Sequence, residues 1–311
     1  MFEQILQLIK EFDTIIIHRH SNPDGDAIGS QVGLKHIILH NFPTKTVYMV
    51  GDHPNHYSFV EGSIMDQIDD SVYANALAIV LDTAASKLIS DNRYTTAART
   101  ARMDHHIFCE TICDTEVTDT SFESCCGLIT AFAKECGLEL TPVAAKALYT
   151  GMVTDSGRFR YDSTSSKTNQ MAALMMEHKC ATNDISRNLY ADDFARIQLK
   201  AKYILKIQLT AKNVAYIYTT REEMEEMQAD TFSISRGMVG TMSDIRGVDI
   251  WVNFTETENG VLCELRSSKY NINPIAVKYG GGGHAKASGA TVKSREDAMA
   301  MLQDLEQLLG E

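Results

Sequence analysis

The chain has 311 residues, 44% of them hydrophobic, and carries 29 Lys+Arg against 41 Asp+Glu for a net charge of −12. That length supports a sizeable core but exceeds the usual span of one compact domain, so two domains with a cleft are expected. Residues 200–311 hold 13 Lys+Arg and 15 Asp+Glu, which leaves −10 of the charge on residues 1–199; so acidic a chain excludes long contact with duplex nucleic acid, where binding draws on phosphate neutralisation by Lys and Arg.

In chain order, the first segment, MFEQILQLIKEF, is amphipathic and carries acid, and no apolar run approaches the roughly 20 residues needed to span a bilayer, so a cytoplasmic location without a membrane partner is expected. Apolar strands are expected at 15–18, 46–51, 76–84 and 101–106, with a helix-periodic run at 27–39. Alternation of continuous apolar strands with helices signals a parallel α/β sheet with helices on both faces. Helices are expected at 123–136, at 142–152 behind a Thr141-Pro142 cap, and at 166–179. The stretch 183–206 is charged and helical, without Gly or Pro, and reads as a connector. Beyond it, 203–210 and 214–220 read as one antiparallel hairpin and 248–257 and 261–268 as another, before a terminal helix capped by Ser294 with Asp297 three residues on. The predicted organisation is a domain over 1–188, a connector over 189–206 and a smaller α+β domain over 207–311. The seven cysteines form no C-x-x-C pair and read as reduced thiols; a metal at Cys109 and Cys113 is disfavoured because no second thiolate pair accompanies them.

Four segments share one design, an apolar strand or helix end that delivers Asp or His: HRHSNPDGD (18–26), VLDTA (80–84), MDHH (103–106) and VTDSGRFR (153–160). Ligands of open parallel sheets gather beyond the carboxyl ends of the strands, so His20, Asp24, Asp26, Asp82, His105 and Asp155 are expected to share one pocket. Taken singly, each reads as a turn residue or a helix cap. Together, four aspartates bring about −4, which two divalent cations balance, and a carboxylate-imidazole donor set suits Mn²⁺ or a similar ion. His18, His36, His40, His53, His56 and His178 have no partners at ligand spacing and are assigned to structure or solvent.

The late run GGGGHAKASG (280–289) reads either as a flexible loop or as an anion nest. Its neighbours favour the nest: Gly281, Gly282 and Gly283 let backbone N–H groups approach an anion, His284, Lys286 and Ser288 add donors, and Arg266, Ser267, Ser268 and Lys269 end a nearby hairpin strand. No aromatic RNA-binding signature or helix-turn-helix pattern accompanies them, so the expected partners are mononucleotides or single strands a few nucleotides long.

The four N-terminal segments and the glycine run resemble the motifs of the DHH phosphoesterase superfamily and of its DHHA1 C-terminal domain, over nearly the whole chain. The resemblance implies two Mn²⁺ ions, with Mg²⁺ or Co²⁺ as substitutes. One is held by His20 and Asp24, the other by Asp26, His105 and Asp155, and Asp82 bridges them. It assigns His106 to the scissile phosphate or the leaving oxygen, Asp104 to orienting a histidine, and Arg158 to clamping phosphate. It gives the C-terminal domain the grip on the substrate across the cleft, and it points to a homodimer. The implied activity is hydrolysis of short oligoribonucleotides to mononucleotides and of 3′-phosphoadenosine 5′-phosphate (pAp) to AMP. Hydrolysis of pApA from cyclic di-AMP opening is the alternative, with pyrophosphate or polyphosphate hydrolysis behind it.

Overall fold

A computed structural model of the chain describes residues 2–310. The chain divides into two compact units, Met1–Ala191 and Asp192–Glu311.

In the first unit, strands β1 (Thr14–His18), β2 (Thr46–Met49), β3 (Ala76–Leu81), β4 (Arg99–Asp104) and β5 (Thr115–Thr118) form an all-parallel sheet in the order β2-β1-β3-β4-β5. Strand β5 was not anticipated, because TEVT offers one buried apolar residue, Val117, and no run. Period-two alternation decides which face each side chain joins. Ile15 and Ile17 of β1, Leu77, Ile79 and Leu81 of β3, and Ala101 and Met103 of β4 enter the main core. Helices α1 (Glu3–Glu11), α2 (Gly25–Asn41), α3 (Cys125–Glu135), α4 (Pro142–Asp155), α5 (Ser166–Glu177) and α6 (Thr182–Tyr190) pack there too. The intervening residues Ile16, Ala78 and Val80 face the other way, onto small clusters built around Tyr73 and Tyr94 in 3₁₀ turns. The second face is thus covered by 3₁₀ turns and loops rather than by α-helices.

Helices α2 and α4 approach closely because glycines line their contact. A Cβ on Gly29 would lie 2.5 Å from the carbonyl of Ala147, and one on Gly151 would lie 2.9 Å from Cα of Asp26. The expected cap of α4 forms, Thr141 Oγ1 accepting from the Ala144 amide at 3.1 Å.

The second unit holds α7 (Phe194–Ile204), β6 (Gln208–Leu209), β7 (Ala215–Thr219), α8 (Arg221–Glu226), α9 (Thr231–Val239), β8 (Ile250–Thr257), β9 (Gly260–Ser267), α10 (Asn273–Lys278), β10 (Gly282–His284), β11 (Ala287–Val292) and α11 (Arg295–Gln307). Its sheet runs β10-β11-β9-β8-β7-β6, and only the β7–β8 pairing is parallel. The hairpin expected at 248–268 forms as β8–β9. The hairpin expected at 203–220 shrinks to the two-residue strand β6: Tyr203 and Ile204 close α7, whose inward side carries Leu199 and the fully buried Tyr203 at helical spacing. The helical stretch expected at 183–206 is broken around Asp192–Asp193, acidic residues that favour a helix start over a helix interior. No helix among the described residues is long and apolar enough to cross a membrane.

Candidate active site

The carboxyl ends of three adjacent strands, β1, β3 and β4, deliver His20, Asp82 and the run Asp104–His106 to one place. Each is held by contacts that leave its functional atoms free. Behind β1 the fully buried Arg19 donates to Gln31 Oε1 at 3.0 Å and to the His20 carbonyl at 3.0 Å, while Gln31 Nε2 donates to the carbonyls of Ile17 and Val50 at 2.7 and 2.9 Å. His20 Nδ1 donates to the Ser21 carbonyl at 2.8 Å, which turns Nε2 toward the carboxylates.

Asp24 caps α2, its Oδ1 accepting from the amides of Asp26 and Ala27 at 3.0 and 2.9 Å. Asp26, two residues on and 1% exposed, accepts from the Cys125 and Cys126 amides at 2.7 and 2.9 Å. Those are the first two residues of α3, so a helix N-terminus backs this carboxylate. Asp155 is the last residue of α4. The backbone then turns through three consecutive left-handed residues, Gly157, Arg158 and Phe159, with φ of 57°, 65° and 60°.

Asp82 sits at the centre with φ of +50°. Its Oδ2 lies 3.5 Å from His20 Nε2, and its Oδ1 lies 3.4 Å from His105 Nε2 and 3.7 Å from His106 Nδ1. His105 Nε2 is also 3.7 Å from Asp26 Oδ2 and 3.5 Å from Asp155 Oδ2, and His20 Nε2 is 3.8 Å from Asp24 Oδ1. These separations are long for hydrogen bonds. They suit two ligands of a shared cation, since donors ~2.1 Å from an ion at tetrahedral or octahedral angles stand ~3.0–3.4 Å apart. Asp82 Oδ1 is buried and, among the described residues, has no hydrogen-bond partner, which is costly unless a cation completes it. The donor set therefore fits metal. Three groups could each hold an ion: His20, Asp24 and Asp82; Asp26, His105 and Asp155; and Asp82, His105 and His106.

Electrostatics point the same way. Burial disfavours charging His20, yet the Asp24 and Asp82 carboxylates outweigh it and push its pKa up to about 10. His105 is likewise pushed up to about 10, burial being overcome by Asp82 and Asp26. Burial would raise Asp82, but the two imidazoles hold it well below the usual carboxylate range. Burial and Asp82 push Asp26 well up, and Asp155 rises to about 6 chiefly through burial. The raised His20, His105, Asp26 and Asp155 signal a shortage of positive charge at the centre.

His106 differs from the others. Its Nδ1 donates to Asp104 Oδ1 at 2.7 Å, and this carboxylate, itself 1% exposed, raises its pKa and leaves Nε2 open. Arg158 is not drawn in: it is exposed, stacks 3.5 Å over the Tyr190 ring, and no ion pair among the described residues joins it to the cluster. The Ser124–Cys126 turn that anchors Asp26 was missed, although Ser124 before an apolar run is a readable N-cap signal.

In the second unit a cavity of about 720 Å³ is lined by Gly280–His284, Ala287–Thr291, Leu262, Glu264, Arg266 and Arg236. The glycine run is a strand: Gly282–His284 pairs with Ala287–Gly289. A Cβ on Gly281 would strike the Gly289 carbonyl, and Gly283, at φ +133°, would bring one within 2.6 Å of the Ala287 carbonyl. Of the residues expected to bind substrate, Arg266, Gly281, Gly282, Gly283, His284 and Ser288 line this cavity, with the Ser288 hydroxyl donating to the His284 carbonyl at 2.7 Å. The others do not. Ser267 points to the core side of β9, where its hydroxyl donates to the Asp249 carbonyl at 2.9 Å and accepts from the Lys269 and Tyr270 amides at 3.1 and 2.7 Å. Ser268 is exposed beside Asp249, Lys269 lies 5.2 Å over the Tyr270 ring, and Lys286 lies outside the lining. The alternation along β9 explains the split, Arg266 and Ser267 being neighbours on opposite faces.

Residues 14–152 match the model for the DHH family, N-terminal domain, and residues 213–311 match that for the DHHA1 domain. The chain is 34% identical to the Bifunctional oligoribonuclease and PAP phosphatase NrnA of Bacillus subtilis, an alignment covering 100% of this chain and 99% of that protein. It is 35% identical to a protein of Streptococcus mutans named Probable bifunctional oligoribonuclease and PAP phosphatase NrnA, over 99% of each. Among solved structures, an exopolyphosphatase-related protein from Bacteroides fragilis superposes with a TM-score of 0.83 at 26% identity, covering 100% of this chain and 97% of that one. With both family domains present in order and relatives above 30% identity along its whole length, the chain belongs to the DHH phosphoesterase family and carries the DHHA1 domain at its C-terminal end.

Proposed function

We propose that the protein is a Mn²⁺-dependent phosphohydrolase of short oligoribonucleotides, releasing mononucleotides, and of pAp, releasing AMP. The observation that carries this reading is Asp82, a buried carboxylate with imidazoles 3.4–3.7 Å from its two oxygens, in a chain whose relatives bear the names oligoribonuclease and PAP phosphatase. His20 and Asp24 would hold one ion, Asp26, His105 and Asp155 the other, with Asp82 shared. Bound there, the two ions supply the Lewis acidity that makes water a competent nucleophile near neutral pH and the positive charge that offsets the phosphoryl oxygens.

The chain's own groups do the rest. The Cys125 and Cys126 amides at the α3 N-terminus hold the Asp26 carboxyl in place. Asp104 holds the proton on His106 Nδ1 and so aims Nε2, which can hydrogen-bond the scissile phosphate or pass a proton to the leaving oxygen. We assign catalysis to residues 1–188, a linking role to 189–206 and nucleotide binding to 207–311, with Arg266 and the 281–284 backbone meeting the non-scissile part of the ligand. Arg158 retains a place only as a group recruited by the phosphate, and Ser267, Ser268, Lys269 and Lys286 as supports of the hairpin end. The enzyme would act in the cytoplasm, as a homodimer, on single strands rather than duplexes.

The test is a panel of pAp, pApA, RNA of two to five nucleotides and pyrophosphate, assayed with Mn²⁺, Mg²⁺ and chelator. The expected result is Mn²⁺-dependent release of AMP from pAp and of mononucleotides from RNA. Turnover of pApA with neither pAp nor RNA consumed would replace this reading by a dinucleotide-specific one. Turnover of pyrophosphate alone would overturn it.

A further inference from the structure

The glycine-lined cavity of the second unit holds a charge arrangement that the motifs do not account for. Glu264 and Arg266 stand two residues apart on β9, hence on one face, and Arg236 reaches the same place from α9. Glu264 meets both arginines: its Oε1 accepts from Arg236 Nε at 3.0 Å and its Oε2 pairs with Arg266 Nη2 at 3.2 Å. Arg266 is otherwise tied down, its Nη1 donating to the Leu265 carbonyl at 2.8 Å. Arg236 is tethered only through Nε, and among the described residues neither of its terminal nitrogens has a partner. Its side chain is 65% exposed while Glu264 is 14% exposed, so the tether is screened by solvent and easily exchanged.

Two guanidiniums on one carboxylate leave the cavity with a surplus positive charge and an open fork of donors. An anion with several acceptor oxygens fits such a fork in a way that a base or a hydroxyl does not. We propose that Arg236 is a specificity-determining residue, which grips a terminal phosphate monoester of the nucleotide ligand together with Arg266, Glu264 serving as its partner until the phosphate arrives. The proposal rests on the nucleotide-hydrolase reading above and adds a residue outside every motif, 28 positions before Glu264 in the chain. A phosphate monoester carries about −1.5 to −2 at neutral pH, so it competes well against a single carboxylate for the exposed guanidinium.

Two measurements test it on the full-length protein. The first is calorimetric binding of AMP and of adenosine to wild type, Arg236→Ala and Arg236→Lys. AMP is expected to bind wild type at least tenfold tighter than adenosine, with most of that preference lost in Arg236→Ala and only part recovered in Arg236→Lys, whose ammonium cannot fork. Equal preference in wild type and Arg236→Ala, or no preference in wild type, overturns the proposal whether or not the protein turns over RNA. The second is steady-state hydrolysis of a dinucleotide bearing a 5′-phosphate or a 5′-hydroxyl. Arg236→Ala should raise KM about tenfold for the phosphorylated substrate alone and leave kcat within twofold. A parallel rise for both substrates would reduce Arg236 to a structural residue. Failure of wild type to cleave either dinucleotide would sink the hydrolase reading while the binding result still stood by itself.

Discussion

Asp82 occupies a backbone conformation, φ +50°, that non-glycine residues seldom adopt and that Asp and Asn tolerate best, directly where β3 ends. Local strain and a buried, unpartnered oxygen at one residue are the mark of a position kept for its chemistry. Asp82→Asn preserves shape and backbone preference but removes the charge that two ions would share. The expected result is a fall in kcat of roughly a thousandfold, comparable to loss of a principal electrostatic group, with the fold intact by circular dichroism. Saturating Mn²⁺ at a hundred times its Kd should stabilise wild type by about 2.7 kcal/mol, and the variant by much less. A variant that kept both turnover and the Mn²⁺-dependent stabilisation would remove Asp82 from the centre. At this scale the convergence of these side chains was readable beforehand, since each follows an apolar segment and, although each alone reads as a turn residue or helix cap, four aspartates together need a neutralising charge. Arg236 was not readable, because a lone arginine in a short amphipathic helix carries no spacing signal.

Helix contacts determine whether those ligands meet. Gly151 of α4 faces Asp26 of α2, and an added Cβ would also collide with Cys126 Sγ at the start of α3, the helix whose amides hold the Asp26 carboxylate. An interior helical Gly→Ala change ordinarily stabilises by up to about 1 kcal/mol. Here Gly151→Ala is expected to destabilise by about 2–3 kcal/mol through overpacking and to weaken Mn²⁺ binding at the ion nearest Asp26. Chemical denaturation and a Mn²⁺ titration check the two effects, and a stabilised variant with unchanged Mn²⁺ affinity would show that the α2–α4–α3 junction yields freely. Apolar periodicity located these helices, and Thr141-Pro142 marked the start of α4, but neither could show which glycines were contact points. Likewise the strand signal at 203–210 failed because Leu199 and Tyr203 satisfy a helical period as well as a strand one. The glycine run is not a flexible loop: Gly282 and Gly283 are committed to a β-ladder, and its glycines line the cavity with backbone alone.

The two units have separate cores, and the charge shortage lies wholly in the first, so pH and metal should act on one unit and leave the other as an internal reference. In the metal-free protein His20 and His105 have pKa values raised from 6.5 to about 10, their burial outweighed by neighbouring carboxylates. A folded-state pKa above the unfolded one means that the contribution to stability is complete below about pH 6.5 and disappears as pH climbs toward 10. A metal bound there would reverse the dependence, because it would take the neutral imidazole and displace the proton. Calorimetric unfolding in chelator should therefore show the first unit's transition falling in temperature between pH 6.5 and 9.5 relative to the second. With Mn²⁺ the same transition should move upward, by a margin that widens as pH rises. Were the first transition flat with pH in chelator, the imidazoles would not be carrying the positive charge that the four carboxylates require, and the centre would have to be neutralised by protons on the acids instead. Asp155, already raised to about 6, would be the first of them, and Mn²⁺ binding would then release its protons from carboxyl groups near pH 6 rather than from imidazoles at higher pH.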